Sequence, residues 1–175
     1  MGIYSFKCII CVQNQWYKIN RMENISFDYK IDLATIAAES QMDFESFDIH
    51  NLKGFFNGKI YVFFHEKNKR NFIVLETGIV DYLLQFDDLI LSIGKGIYKT
   101  FTISCDYYSN NLLYEYSSIN NTLIINEGNA NSYTISCNYD DFKKGYLKFR
   151  KRVLRELSIL YPGLSSSQAF LEYFG

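Results

Sequence analysis

The run YDDFKKGYLKFRKRVLRELSILYPG, residues 139–163, limits what this chain can fold into more than any other stretch. Its large apolar residues Phe142, Tyr146, Phe149, Val153, Leu157 and Leu160 recur at steps of four and three, the spacing that keeps side chains on one face of an α-helix. The spacing predicts a helix over residues 140–161, capped by Asp140 or Asp141 and ended by Tyr161-Pro162-Gly163. Lys144, Lys148, Lys151, Arg152 and Arg155 fall on the opposite side. Such a helix must bury its stripe against another layer, and the preceding residues offer a sheet. Gly145 inside the run lowers helix propensity by up to about 1 kcal/mol relative to Ala, far less than six buried apolar side chains return.

Upstream, FTISCDY (Phe101–Tyr107) and YTISCNY (Tyr133–Tyr139) repeat one phrase. Phe101, Ile103 and Cys105 in the first copy, and Tyr133, Ile135 and Cys137 in the second, alternate with Thr and Ser. That is the period of a half-buried strand. The likeness ends at both flanks, so the phrase is scaffold and not a duplicated thiol site. With LLYEYSS and TLIINEG between the copies, residues 97–139 read as a four-stranded antiparallel meander.

Elsewhere, strands are expected over residues 2–12, 16–21 and 26–31, followed by a short Ala-rich helix after Asp32. Residues 41–50 have no firm period. Asn57-Gly58 between apolar runs predicts a hairpin with a type I′ turn. A second turn at Lys67–Arg70 leads into NFIVLE. Ile79, Leu83, Phe86, Ile90 and Ile93 predict a helix over 79–93, with Gly94 placed as its C-terminal glycine. Ser165–Ser167 would cap a last short helix, QAFLEYF. The fold class expected is α+β, a twisted antiparallel sheet packed against the two longer helices, in one domain over residues 1–175.

The 175 residues include 15 Tyr, 15 Phe and a single proline. The formal charge of −1 divides unevenly, at −4 for residues 1–138 and +3 for 139–175. The balance gives no general case for nucleic-acid binding, though the basic helix face keeps a local one. No run reaches the roughly 18 apolar residues of a membrane span, and the start is not a signal peptide, so a cytoplasmic protein with reduced thiols is expected.

Cys8 and Cys11 form a C-x-x-C, but they sit in the strand-like FKCIICV, where residues three apart face opposite ways. No second pair completes a zinc site. His50 and His65 are the only histidines, and neither stands in a metal or nucleophile motif. The acids Asp43, Glu45 and Asp48 read as a solvated face. No catalytic residue, metal or cofactor is therefore expected. The segment most suited to recognition is DYYSNNLLYEYSSINN: Asp106, Tyr107, Tyr108, Tyr114, Glu115 and Tyr116, joined by Asp87 and Asp88, could form an acidic, Tyr-bearing surface.

The closing pattern of a meander running into a capped amphipathic helix, YDDFKKGYLKFRKRVLRELSILYPGL, resembles the immunity proteins of bacterial polymorphic and contact-dependent growth inhibition toxin systems. The resemblance implies a protein without catalytic residues that binds the C-terminal toxin domain of a cognate partner, often over its active site. If that toxin is a nuclease, the acidic surface would mimic its substrate, with no nucleic acid or membrane as partner; exposed sheet edges would permit a homodimer. Two other classes compete. A helix packed on an antiparallel sheet also suits a helix-grip carrier of small ligands, and the face Lys144, Lys148, Lys151, Arg152 and Arg155 suits a nucleic-acid module.

Overall fold

A computed structural model describes residues 25–66, 69–104, 111–128 and 134–175. The strands expected at 2–12 and 16–21, and with them Cys8, Cys11, Cys105, Asp106, Tyr107, Tyr108 and Tyr133, lie outside the described residues. The fold is α+β. Among the described residues its first half builds a three-stranded antiparallel sheet in the order β1 (Ile25–Ile31), β2 (Asn57–Glu66) and β3 (Lys69–Gly78). Two short helices, α1 (Leu33–Glu39) and α2 (Ile49–Lys53), bridge β1 and β2. Helix α3 (Ile79–Gly94) leads to the second sheet, β4 (Phe101–Ser104), β5 (Asn111–Ser117), β6 (Thr122–Glu127) and β7 (Thr134–Asn138), paired antiparallel in chain order. Helix α4 (Tyr139–Leu160), a 3₁₀ turn (Pro162–Ser166) and α5 (Gln168–Phe174) close the chain.

The meander is present as expected, and its alternation is visible in burial. Phe101, Ile103, Leu112, Tyr114, Leu123, Ile125 and Ile135 turn inward, while Thr102, Thr134 and Ser136 are exposed. Cys137 follows the inward rhythm and is half-buried. Burial, with the Asp141 charge second, pushes its thiol up to about 12.

One contiguous core joins both sheets to α3 and α4. Phe86 of α3 stands at its centre. Its ring lies 5.9 Å from Phe27 of β1, 6.0 Å from Tyr114 of β5, 6.0 Å from Phe142 and 5.3 Å from Tyr146 of α4. Edge-on and tilted ring pairs at these distances add to what area burial contributes.

Three local expectations are corrected. Asn57-Gly58 is not a hairpin turn but the start of β2, with Gly58 opposite Ile31 in the register. The glycine is needed for close approach: a Cβ at position 58 would stand 2.2 Å from the Lys30 carbonyl oxygen. The positive φ falls instead on buried Phe56 (58°), whose N–H donates to Glu39 at 3.0 Å and whose carbonyl accepts from the Ile79 N–H at 3.1 Å. The true hairpin joins Glu66 to Lys69, within the turn expected at 67–70.

Helix α4 is capped by Asn138 rather than by Asp140 or Asp141. The Asn138 side-chain oxygen accepts from the N–H groups of Asp140 (3.0 Å) and Asp141 (3.2 Å). The two acids occupy the first turn, where they complement the helix dipole. At the exit of α3, Gly94 is the last helical residue, and Gly96 takes the left-handed conformation with φ of 76°. The Ser167 cap of α5 is as expected, accepting from the Phe170 N–H at 3.3 Å.

Candidate partner-binding surface

Helix α4 divides by chemistry. Phe142, Tyr146, Phe149, Val153 and Leu157 are buried, and Leu160 is half-buried at the end of the stripe. Lys144, Lys148, Lys151 and Arg155 are exposed. The helix lies against β1 because Gly145 carries no side chain: a Cβ there would meet the Ile25 carbonyl oxygen at 2.8 Å. Close approach is thus what the glycine provides, beyond its cost to helix propensity.

Residues of α4 and β1 line a groove of about 630 Å³. Phe27, Phe149, Gly145 and Ser26 form its floor and wall, and Lys148, Lys151, Arg152 and Arg155 line its rim. Arg152 is anchored. Its Nη2 donates to the Asp28 carboxylate at 2.8 Å and to the Phe27 carbonyl at 3.3 Å, and its guanidinium lies 5.9 Å from the rings of Tyr29 and Phe149. Beside it the Tyr29 hydroxyl donates to Glu156 at 2.8 Å, and Arg155 approaches the same carboxylate at 3.9 Å. Ser26 meets His65 of β2, with Oγ 3.3 Å from Nε2, so this histidine helps fix the groove's wall.

The acidic, Tyr-bearing surface expected from the sequence is not brought together by the described residues. Tyr114 is fully buried in the core, because its register opposite Phe101 and Ile125 places it on the inward face. It is therefore no contact residue. Asp87 is committed internally. It accepts from the Tyr146 hydroxyl at 2.6 Å and pairs with Arg150 Nε at 2.9 Å, tying α3 to α4. Tyr116 is half-buried between Tyr98 (5.1 Å) and Tyr139 (4.9 Å), and its hydroxyl donates to Asn121 at 3.2 Å. Asp88 and Glu115 are exposed, Asp88 lying 3.8 Å from Lys99. By contrast, four of the five basic residues read from the helix period do line one groove, and only Lys144 stands apart from it. The sequence offered no signal for Ser26 and Phe27 as its other wall.

No family model, curated protein or solved structure matches this chain. What the surface can do therefore rests on its own chemistry. Among the described residues, no three His, Cys, Asp or Glu side chains gather as metal ligands, and no helix is long and apolar enough to cross a membrane.

Several tyrosines near these contacts hold their protons unusually firmly. Burial, then the Asp87 charge, raises Tyr146 far above the ordinary phenol range; burial, then the hydrogen bond to Glu156, raises Tyr29. Burial foremost pushes Tyr139 and Tyr161 up to about 12. The folded chain then keeps phenol protons that the unfolded chain sheds near pH 10. For Tyr139 and Tyr161 that stability is fully present below about pH 10 and is lost as pH rises through about 12, and for Tyr29 and Tyr146 it persists to still higher pH. Alkaline titration should accordingly show phenolate absorbance and loss of circular dichroism rising together above about pH 10. If all tyrosines ionised near pH 10 with the fold intact, this account of the core would be wrong.

Proposed function

We propose that this chain is an immunity-type binding protein, which neutralises a cognate bacterial toxin domain by holding it in a tight protein–protein complex. The observation that carries this reading is the build of the C-terminal half, where the meander β4–β7 runs directly into the capped, two-faced helix α4. That arrangement is the one on which the resemblance rests. The polar groups inside the molecule support a scaffold role: Asp87, Tyr146 and Arg150 join α3 to α4, and Asn121 ties the β5–β6 turn to Asp140 at 2.7 Å. The rings between α4 and β1 are in mutual contact, Phe27 lying 5.3 Å from Phe142 and 5.5 Å from Phe149. This packing favours a solid support over a helix-grip carrier.

Co-expression with a candidate toxin domain tests the function. Cells carrying both should grow, and the two proteins should co-elute. A purified toxin domain that neither binds this protein nor loses activity in its presence would end the proposal.

A further inference from the structure

Helix α1 is weakly anchored between two firm points. None of its residues is buried, Leu33 at its start is 83 % exposed, and Ile36 alone packs partly on the core. Asp32 precedes it without a side-chain cap, no acid stands in its first turn and no base in its last. The chain on either side is held. Ile31 pairs with Gly58 at the end of β1, Phe44 is fully buried, and the Met42 carbonyl oxygen lies 2.5 Å from where a Cβ at Gly163 would stand. Among the described residues one side-chain hydrogen bond ties α1 to the rest of the fold: the Glu39 carboxylate accepts from the Phe56 N–H at 3.0 Å.

Three destabilising features meet at that contact. Phe56 holds a φ of 58°, a strained conformation for a bulky residue. The Tyr161 ring lies 4.6 Å from that of Phe56, and its hydroxyl is buried with no hydrogen-bond partner among the described residues. Burial holds the Glu39 carboxyl above its ordinary range, so the ionised group is itself kept at a cost. We infer that residues 32–43 form a strap that opens as a unit while the core stays folded, with Glu39 on the Phe56 N–H as its latch. Opening gives the Glu39 carboxylate and the Tyr161 hydroxyl to water and lets Phe56 leave the left-handed region. Little apolar burial is lost in return, and segments of that kind open at lower free energy than the core. The Phe56 carbonyl keeps its bond from the Ile79 N–H, at 3.1 Å, which confines the change to the strap side.

Amide hydrogen exchange followed by NMR on the full chain tests this. The Phe56 amide belongs to a fully buried residue, yet it should exchange together with the Ile36 and Ser40 amides of the strap. All three should exchange about a hundredfold or more faster than the Phe149 and Val153 amides of α4. Glu39→Ala should speed the three by about tenfold or more and leave the α4 amides near the parent rate. Glu39→Gln keeps an acceptor without the charge and should hold them near the parent rate or below it. Tyr161→Phe removes the unpaired hydroxyl and should slow them. A Phe56 amide as protected as those of α4, or exchanging apart from Ile36 and Ser40, overturns the inference. So does a Glu39→Ala variant that leaves the strap unchanged or speeds α4 as much, or a Tyr161→Phe variant that speeds the strap.

Discussion

Phe86→Ala is expected to lower stability by about 3–5 kcal/mol, the range for emptying a large aromatic site in a core that only partly collapses. The ring touches Phe27 of the first sheet, Tyr114 of the second, and Phe142 and Tyr146 of α4, and it is fully buried. No neighbour can fill the space without leaving its own contacts. Domains of ordinary stability hold about 5–15 kcal/mol, so the variant would stand close to unfolding at working temperature. Denaturant titration checks this, and Phe86→Leu, which keeps most of the volume, should lose much less. Equal midpoints for parent and Phe86→Ala would mean that the two sheets do not share a core through α3.

Gly145→Ala should destabilise even though Ala is the better helix former. In an open helix the change would gain up to about 1 kcal/mol. Here the new Cβ would stand 2.8 Å from the Ile25 carbonyl oxygen, and the atom it meets is backbone. Relief requires α4 to move away from β1, which loosens Phe149 and Val153 on the same face. Overpacking of this kind costs about 1–3 kcal/mol, so the net loss should be about 1–2 kcal/mol, and Gly145→Val should lose more. Gly94→Ala is the matched control. Nothing lies within 4 Å of that Cβ, and the substitution should be neutral or mildly stabilising. Thermal melts of the three variants decide the matter, and a stabilised Gly145→Ala would refute the close-approach account.

Local pattern and tertiary need parted company at identifiable residues. The stripe from Phe142 to Leu157 and the alternation through TISC were readable because each element has a single period, and the core accepts whichever face is apolar. Asn138 does not stand out as a cap in the sequence because the Asp-Asp pair after it carries the same chemistry at the next positions. Asn57-Gly58 misled for a different reason. A glycine that serves a turn and a glycine that admits a neighbouring strand look identical until that strand's partner is known.

Tyr114 and Asp87 show the same division for the candidate surface. A tyrosine among Asn and Ser reads as a recognition residue, yet the pairing of β5 between β4 and β6 turns Tyr114 into the core. An aspartate on a helix reads as solvated, yet the approach of α4 places Tyr146 and Arg150 on Asp87. The basic face of α4 was legible because helical geometry alone gathers residues three and four apart. The groove was not, since its other wall comes from β1, more than a hundred residues earlier. From sequence alone came the two long helices, the four-stranded meander and the charge of the α4 face, since each depends on neighbours along the chain. Which polar groups are spent inside, which glycine admits a strand and where a hollow remains were decided by tertiary packing. Those depend on distances between segments that no local period encodes.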